Sequence, residues 1–388
     1  MSVNRPRAKY RLLSIHSINV NANRYHLLPH ILALLLPSVK NFVEYLFMPS
    51  KLILTGLLMV SLAFTGSSLA AEEVNVYSAR KENLIKPLLD KFTAETGIKT
   101  NLITAKADKL LTRLVNEGRN SPADVFITVD AGRLYRARQQ DVLQPLNSPE
   151  VRDIVPAHLI DKDDYWVGLS QRARVIFYAK DRVKPEALSS YEDLAGDKWK
   201  KRICIRGSSN IYNQSLVASM IAADGKAAAE KWARGLVANM ARPPKGGDRD
   251  QIKAAAAGQC DLAVANTYYY GKMLTSKKDP AQVAAAEKMG LFWPNQKGRG
   301  AHVNISGVGI AKHAPNADNA RKLITFLLNK ESQHWYADKN FEYPVREDVE
   351  PSDLLKSWGD FKADNLNLSA LGENNIEAVK IMDRAGWK

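Results

Sequence analysis

The residues best suited to chemistry in this chain are tyrosines. Asn266-Thr267-Tyr268-Tyr269-Tyr270-Gly271-Lys272 puts three consecutive phenols directly after the short run Cys260 to Ala265. Ser208-Ser209-Asn210-Ile211-Tyr212-Asn213 puts another after the run around Cys204. A free phenol loses its proton near pH 10, but a highly charged bound cation can take that proton at neutral pH, as metals do with bound water or thiols. The resulting phenolate is a hard, anionic oxygen donor that suits ferric iron and favours Fe(III) over Fe(II). The same rings would also serve as packing in a core or cleft wall, and the run alone leaves both readings open. Tyr212 favours the metal, because its predicted place at a helix start in the same lobe lets it meet the pair.

The elements that must position these residues alternate. Val74 to Ser78 reads as a strand, and Leu84, Ile85, Leu88, Leu89 and Phe92 recur at helical spacing up to Gly97. Ile98 to Thr104 reads as a strand, Leu110 to Val115 as a helical face, and Asp124 to Val129 as a strand. Further strands are predicted at Arg174 to Tyr178, around Cys204, at Cys260 to Ala265 and at Val303 to Ala311. Helices are predicted at 212–223, 227–240, 252–257 and 317–335. This alternation predicts an α/β chain with parallel sheets and helices on both faces. Ligands of such sheets gather at strand carboxyl ends and helix N-termini. That draws attention to Tyr77 through Lys81, Asp130, Ser208 through Tyr212, and Asn266 through Tyr270.

Residues 1–70 carry seven Lys/Arg, one acid (Glu44) and the apolar run Leu52 to Gly66, followed by Ser68 and Ala70 at the −3 and −1 positions of a cleavage site. They read as an upstream extension plus an export signal cut between Ala70 and Ala71, with Met48 the better start. The apolar run is shorter than the roughly 20 residues a membrane span needs. Removing this leader lowers the net charge from +14 to +8, since it carries a net +6. The lysines are scattered without aromatic interleaving, which argues against nucleic acid. The remaining 318 residues suffice for two lobes, expected at 71–175 with about 300–340, and at 176–299 with about 341–388. Export makes a Cys204–Cys260 disulfide plausible, and two buried thiols fit equally. No Walker loop, Gly-x-Ser-x-Gly elbow, His-Glu-x-x-His or Cys-x-x-Cys occurs. The chain therefore reads as a binder and not an enzyme. Asp248 reads as a helix cap and His302 as structural.

Several motifs, in order, carry a resemblance: Tyr77-Ser-Ala-Arg80, Ser121-Pro-Ala-Asp-Val125, Arg172-Ala-Arg-Val-Ile176, Gly246-Gly-Asp-Arg-Asp250, Asn266-Thr-Tyr-Tyr-Tyr270 and Asn304-Ile-Ser-Gly307. Together they resemble the periplasmic ferric-ion-binding proteins, also called bacterial transferrins, over essentially the whole mature chain. The resemblance implies a type II periplasmic-binding fold with two lobes and crossing hinge strands. It also implies a partner ABC transporter with a permease and an ATPase, and a monomer working in the periplasm. Carried over, the Fe(III) ligands are Tyr212, Tyr268 and Tyr269, with Tyr270 packing. Relatives often add a histidine after Tyr-Ser-x-Arg. Here Lys81-Glu82 stands there, and Glu82 is a weaker candidate ligand, as is Tyr77. The resemblance further implies a synergistic anion, carbonate or bicarbonate, held by the guanidinium forks of Arg80 and Arg172, with Arg174 as the alternate on the same strand face. The rival functions are a same-fold binder of an oxyanion, polyamine or thiamine, or a periplasmic iron-sensor subunit.

Overall fold

The strands run in chain order as β1 (Glu73–Ser78), β2 (Lys99–Thr104), β3 (Val125–Val129), β4 (Leu143–Gln144), β5 (Val167–Ala179), β6 (Ile203–Cys204), β7 (Leu262–Asn266), β8 (Met289–Phe292) and β9 (Val303–Ala311). The computed structural model describes residues 72–388. The expected extension, export signal and cleavage point at Ala70 and Ala71 lie outside the described residues.

β1, β2 and β3 are parallel, joined by helices Lys86–Thr96 and Ala107–Glu117. Leu88, Leu89 and Phe92 face the core from the first helix, as their spacing predicts. The full strand order is β2-β1-β3-β9-β5-β7-β6, with β4 on β9 and β8 on β5. β9 lies antiparallel to β3 and β5, and β5 antiparallel to β7 and β8. The expected all-parallel arrangement is therefore mixed, because the two strands shared by the lobes run against their neighbours.

β5 is the strand that joins the lobes. Its residues Val167 to Ala173 pair with β9, and Arg174 to Tyr178 pair with β7. Its second half alternates at period two: Ala173, Val175, Phe177 and Ala179 enter one core, and Ile176 enters another on the opposite face. A separate core fills the first lobe, built from β1, β3, Trp166 to Leu169 and Ile305 to Ala311. The expected assignment of 341–388 to the second lobe meets a divided segment. Val345, Leu368 and Leu371 pack in the first core, while Ala378, Ile381, Met382 and Trp387 pack in the second.

The two helices predicted at 212–223 and 227–240 form within Ile211–Asn239, separated as expected by a sharp break at Gly225 with φ 81°. Only a residue without a Cβ accepts that backbone cheaply. The helix predicted at 317–335 is split into Ala317–Leu327 and Lys330–Trp335, followed by a wider five-residue turn at Tyr336–Asn340. Cys204 and Cys260 form a disulfide, brought together by the parallel pairing of β6 with β7. Among the described residues, no helix is long and apolar enough to cross a membrane.

His302, just before β9, is buried, and its backbone N–H donates to Tyr191 Oη at 2.9 Å. Burial first, then the charges of Arg174 and Arg299, push its imidazole down to about 3. The folded state keeps His302 neutral, whereas the unfolded chain protonates it below about 6.5. Its contribution to stability is thus complete above that pH and declines as pH falls toward 3. His302→Gln is expected to flatten the pH dependence of the urea-unfolding free energy across this window, by up to about 1.4 kcal/mol per pH unit. Parallel curves for the two proteins would rule the imidazole out as the source.

Candidate metal centre

Helix Thr267–Leu274 begins at the residue after β7 ends, so the strand aims Tyr268 and Tyr269 at the lobe interface. Tyr212 is the second residue of helix Ile211–Asn239. The two helix starts converge: Tyr268 Oη donates to Tyr212 Oη at 3.2 Å, and the rings of Tyr268 and Tyr269 lie 4.2 Å apart, centroid to centroid. All three phenols line one cavity of about 210 Å³, together with Arg80, Arg172, Arg249, Lys272 and Glu342. Tyr270 turns away and packs, as expected. Its ring lies 4.9 Å from that of Phe177, and its hydroxyl donates to the Met289 carbonyl at 2.9 Å.

Arg174 locks the two helix starts together from beneath. Nη1 donates to Asp248 Oδ1 and to Asn266 Oδ1, both at 2.9 Å, and Nη2 donates to Asn213 Oδ1 at 2.6 Å. Asn266 immediately precedes the Tyr268 helix, and Asn213 immediately follows Tyr212. Asp248 is fully buried between Arg174 and Arg206, whose Nη1 lies 2.8 Å from Asp248 Oδ2. The expected helix cap is thereby corrected. Gly247 is the N-cap of helix Asp248–Ala256, and Asp250 reaches back to the Gly247 N–H at 2.8 Å. Asp248 is instead the counter-charge of two guanidiniums.

The facing wall is cationic. Arg80 spans the Glu342 carboxylate, Nη1 to Oε2 at 3.0 Å and Nη2 to Oε1 at 3.3 Å, and Arg172 Nη2 reaches Oε1 at 3.3 Å. Both arginines also donate to Ser306 Oγ, and Ser170 donates to Glu342. Burial would raise the Glu342 carboxyl, but Arg80 and Arg172 outweigh it and hold the group at about 2, so it is ionised. Arg172 Nε and Nη1 and Arg80 Nε have no hydrogen-bond partner among the described residues. Lys272 points its amine at the Tyr268 ring, 5.4 Å from the centroid. Burial, then repulsion from Arg80, Arg249 and Lys81 against the pull of Glu342, brings it down to about 8.

Burial, followed by mutual repulsion with Tyr212, drives the phenols of Tyr268 and Tyr269 well above the ordinary tyrosine value; Arg172 and Arg206 oppose this only in part. By themselves, Tyr268 and Tyr269 therefore stay protonated at neutral pH. The donor set fits a hard trivalent ion: three phenol oxygens of a kind that a bound cation can ionise, next to cations that favour the anionic form. Among the described residues, no group of three His, Cys, Asp or Glu side chains is placed to hold a metal ion.

Of the sequence candidates, Tyr212, Tyr268, Tyr269, Arg80 and Arg172 line the cavity. Arg174 does not; its fork is consumed by the network beneath. Tyr77 does not either, since its hydroxyl donates to Glu117 at 2.9 Å, and burial followed by that carboxylate pushes it up to about 12. Glu82 is exposed on a short 3-10 turn outside the lining. Three charged cavity residues, Arg249, Lys272 and Glu342, went unassigned in the sequence. Lys272 was legible in principle, four residues after Tyr268 and hence on the same helix face. Glu342 had no sequence signal, because it follows no strand and belongs to no motif.

Residues 88–363 match the family model described as bacterial extracellular solute-binding protein. The chain is 52% identical over 317 residues to iron uptake protein A1 of Synechocystis sp., covering 82% of this chain and 88% of that protein. Among solved structures, Trichodesmium IdiA (FutA) in complex with iron and citrate ligands matches at a TM-score of 0.80 and 51% identity, covering 81% of this chain and 100% of that one. The ferric binding protein from Campylobacter jejuni matches at a TM-score of 0.77 and 43% identity, with coverage of 81% and 100%.

If Arg174 locks the two tyrosine helices, Arg174→Met strands Asp248 with one partner and takes the donor away from Asn213 Oδ1 and Asn266 Oδ1. Breaking such a buried pair is expected to cost about 3–5 kcal/mol in urea unfolding. A loss below about 1 kcal/mol, the scale of an exposed ion pair, would deny Arg174 this role.

Proposed function

This chain belongs to the bacterial extracellular solute-binding protein family and is a periplasmic ferric-iron-binding protein; we propose that Tyr212, Tyr268 and Tyr269 bind the iron as phenolates. The observation that carries this reading is the convergence of three phenols from two helix starts on one cavity, with Arg80 and Arg172 across from them. Iron is cargo here. The side chains take it up by exchanging phenolic protons for the metal, and the surrounding cations ease that exchange.

Arg80 and Arg172 are the proposed holders of a small synergistic anion. Carbonate or bicarbonate suits a guanidinium fork. The Trichodesmium relative was solved with citrate as well as iron, so carboxylates belong to the same chemical class. The first lobe supplies Arg80, and β5, which joins the lobes, supplies Arg172. Hinge motion about β5 and β9 would therefore open and close the cavity. Delivery to a membrane permease powered by an ATPase, with the carrier acting as a monomer, completes the proposal. A polyamine fits less well, because the one carboxylate of the lining, Glu342, is already neutralised by arginine. A colourless oxyanion or thiamine would give the converging phenols no task.

The test is a visible spectrum with metal analysis. Iron-loaded protein is expected to show a tyrosinate-to-iron charge-transfer band that Tyr268→Phe, Tyr269→Phe and Tyr212→Phe each bleach or shift. Each ligand phenol gives up its proton when it binds the iron. The apparent affinity should then fall about tenfold per pH unit per tyrosine on acidification. A protein that stays colourless with ferric salts, or a band indifferent to all three substitutions, would overturn the assignment.

A further inference from the structure

Glu342 is an odd neighbour for an anion site. Its carboxylate sits where an incoming oxyanion would have to bind, spanning Arg80 and touching Arg172. It is 3% exposed, as closely held as the arginines themselves. A fork of two cations with a carboxylate already inside it attracts a second anion far less than the bare fork would.

The backbone that presents Glu342 is irregular. It follows the wide turn Tyr336–Asn340, and Phe341 has φ 56°, a left-handed conformation that a bulky side chain rarely adopts. Tyr336 Oη and Asn340 Oδ1 in that turn are buried and unpartnered among the described residues, as are Arg80 Nε and Arg172 Nε and Nη1 around the carboxylate. Polar atoms left over on both sides of one contact are what a second arrangement would use. The segment also touches the iron site. Phe341 packs so tightly on Gly271 of the Tyr268 helix that a Cβ there would lie 2.8 Å from the Phe341 ring.

We propose that Glu342 is a built-in competitor for the synergistic anion: it occupies the Arg80–Arg172 fork in the iron-free protein, and the anion enters by displacing it. This rests on reading that fork as the anion site. Glu342 thereby keeps the empty carrier from filling with stray oxyanions and ties anion entry to movement of the segment packed on the tyrosine helix.

The experiment uses iron-free protein and bicarbonate, with sulfate as a second probe, read by thermal unfolding and calorimetry. Wild-type protein is expected to show no stabilisation at millimolar bicarbonate. Glu342→Gln, which keeps the side-chain shape and loses its charge, is expected to bind bicarbonate at least tenfold more tightly and to gain on the order of 2–5 °C in melting temperature at saturation. Adding Arg172→Gln to Glu342→Gln should abolish that gain. Should Glu342→Gln fold poorly without an anion, bicarbonate is expected to restore it. Equal bicarbonate affinity in the two iron-free proteins, or tight binding to wild type, would overturn the proposal. Because no iron is present, these outcomes are independent of the tyrosinate band, which tests the iron site separately.

Discussion

A guanidinium taken out of water must find counter-charge and acceptors or it costs several kcal/mol, and the geometry of the tyrosine cluster depends on how Arg174 meets that demand. Its acceptors among the described residues are Asp248, Asn213, Asn266 and the Val264 carbonyl. Two of these flank the tyrosines directly, so satisfying the charge fixes the spacing between the two helix starts. Neither helix alone would hold a phenol to within a few tenths of an ångström, since helix ends are the first parts to fray. The network converts a buried charge into positional accuracy.

Arg172 and Arg174 make the point sharper because they share a strand face and differ in everything else. Arg174 lies at the register where β5 pairs with β7, under the second lobe, while Arg172 lies where β5 still pairs with β9. Arg174 spends both terminal nitrogens on structure. Arg172 keeps Nη1, as well as Nε, without a partner among the described residues. The cations near the phenols have a common effect on their chemistry: they oppose the rise in phenol pKa that burial causes, without cancelling it. Tyr268 and Tyr269 therefore stay protonated by themselves, and only a bound cation would ionise them.

The chain's path explains how a carrier can be stiff within each lobe and mobile between them. β5 and β9 are shared, and the tail beyond residue 341 contributes to both cores. Most apolar burial lies inside one lobe or the other, whereas many contacts beside the cavity are polar. Such an interface can be reorganised at modest cost, as uptake and release of a cargo ion require. Ser215 of the Tyr212 helix donating to Asp130, at the end of β3, is one of these polar contacts, at 2.8 Å.

How much of this was legible beforehand differs from residue to residue. The sequence by itself pointed to the phenols and guanidiniums that share one cavity. Tyr212, Tyr268 and Tyr269 follow apolar runs that form strands, and strand-end position together with the family resemblance singled them out, along with Arg80 and Arg172. It also determined β9, whose bounds match the apolar run Val303 to Ala311, because hydrophobic alternation is a local signal. What only the tertiary structure decided was partnership among charges. Arg174 was taken from the cavity by Asp248, 74 residues away, and Glu342 was brought to Arg80 from 262 residues away. A buried charge chooses its partner by distance in space, and neither spacing nor composition carries that distance along the chain.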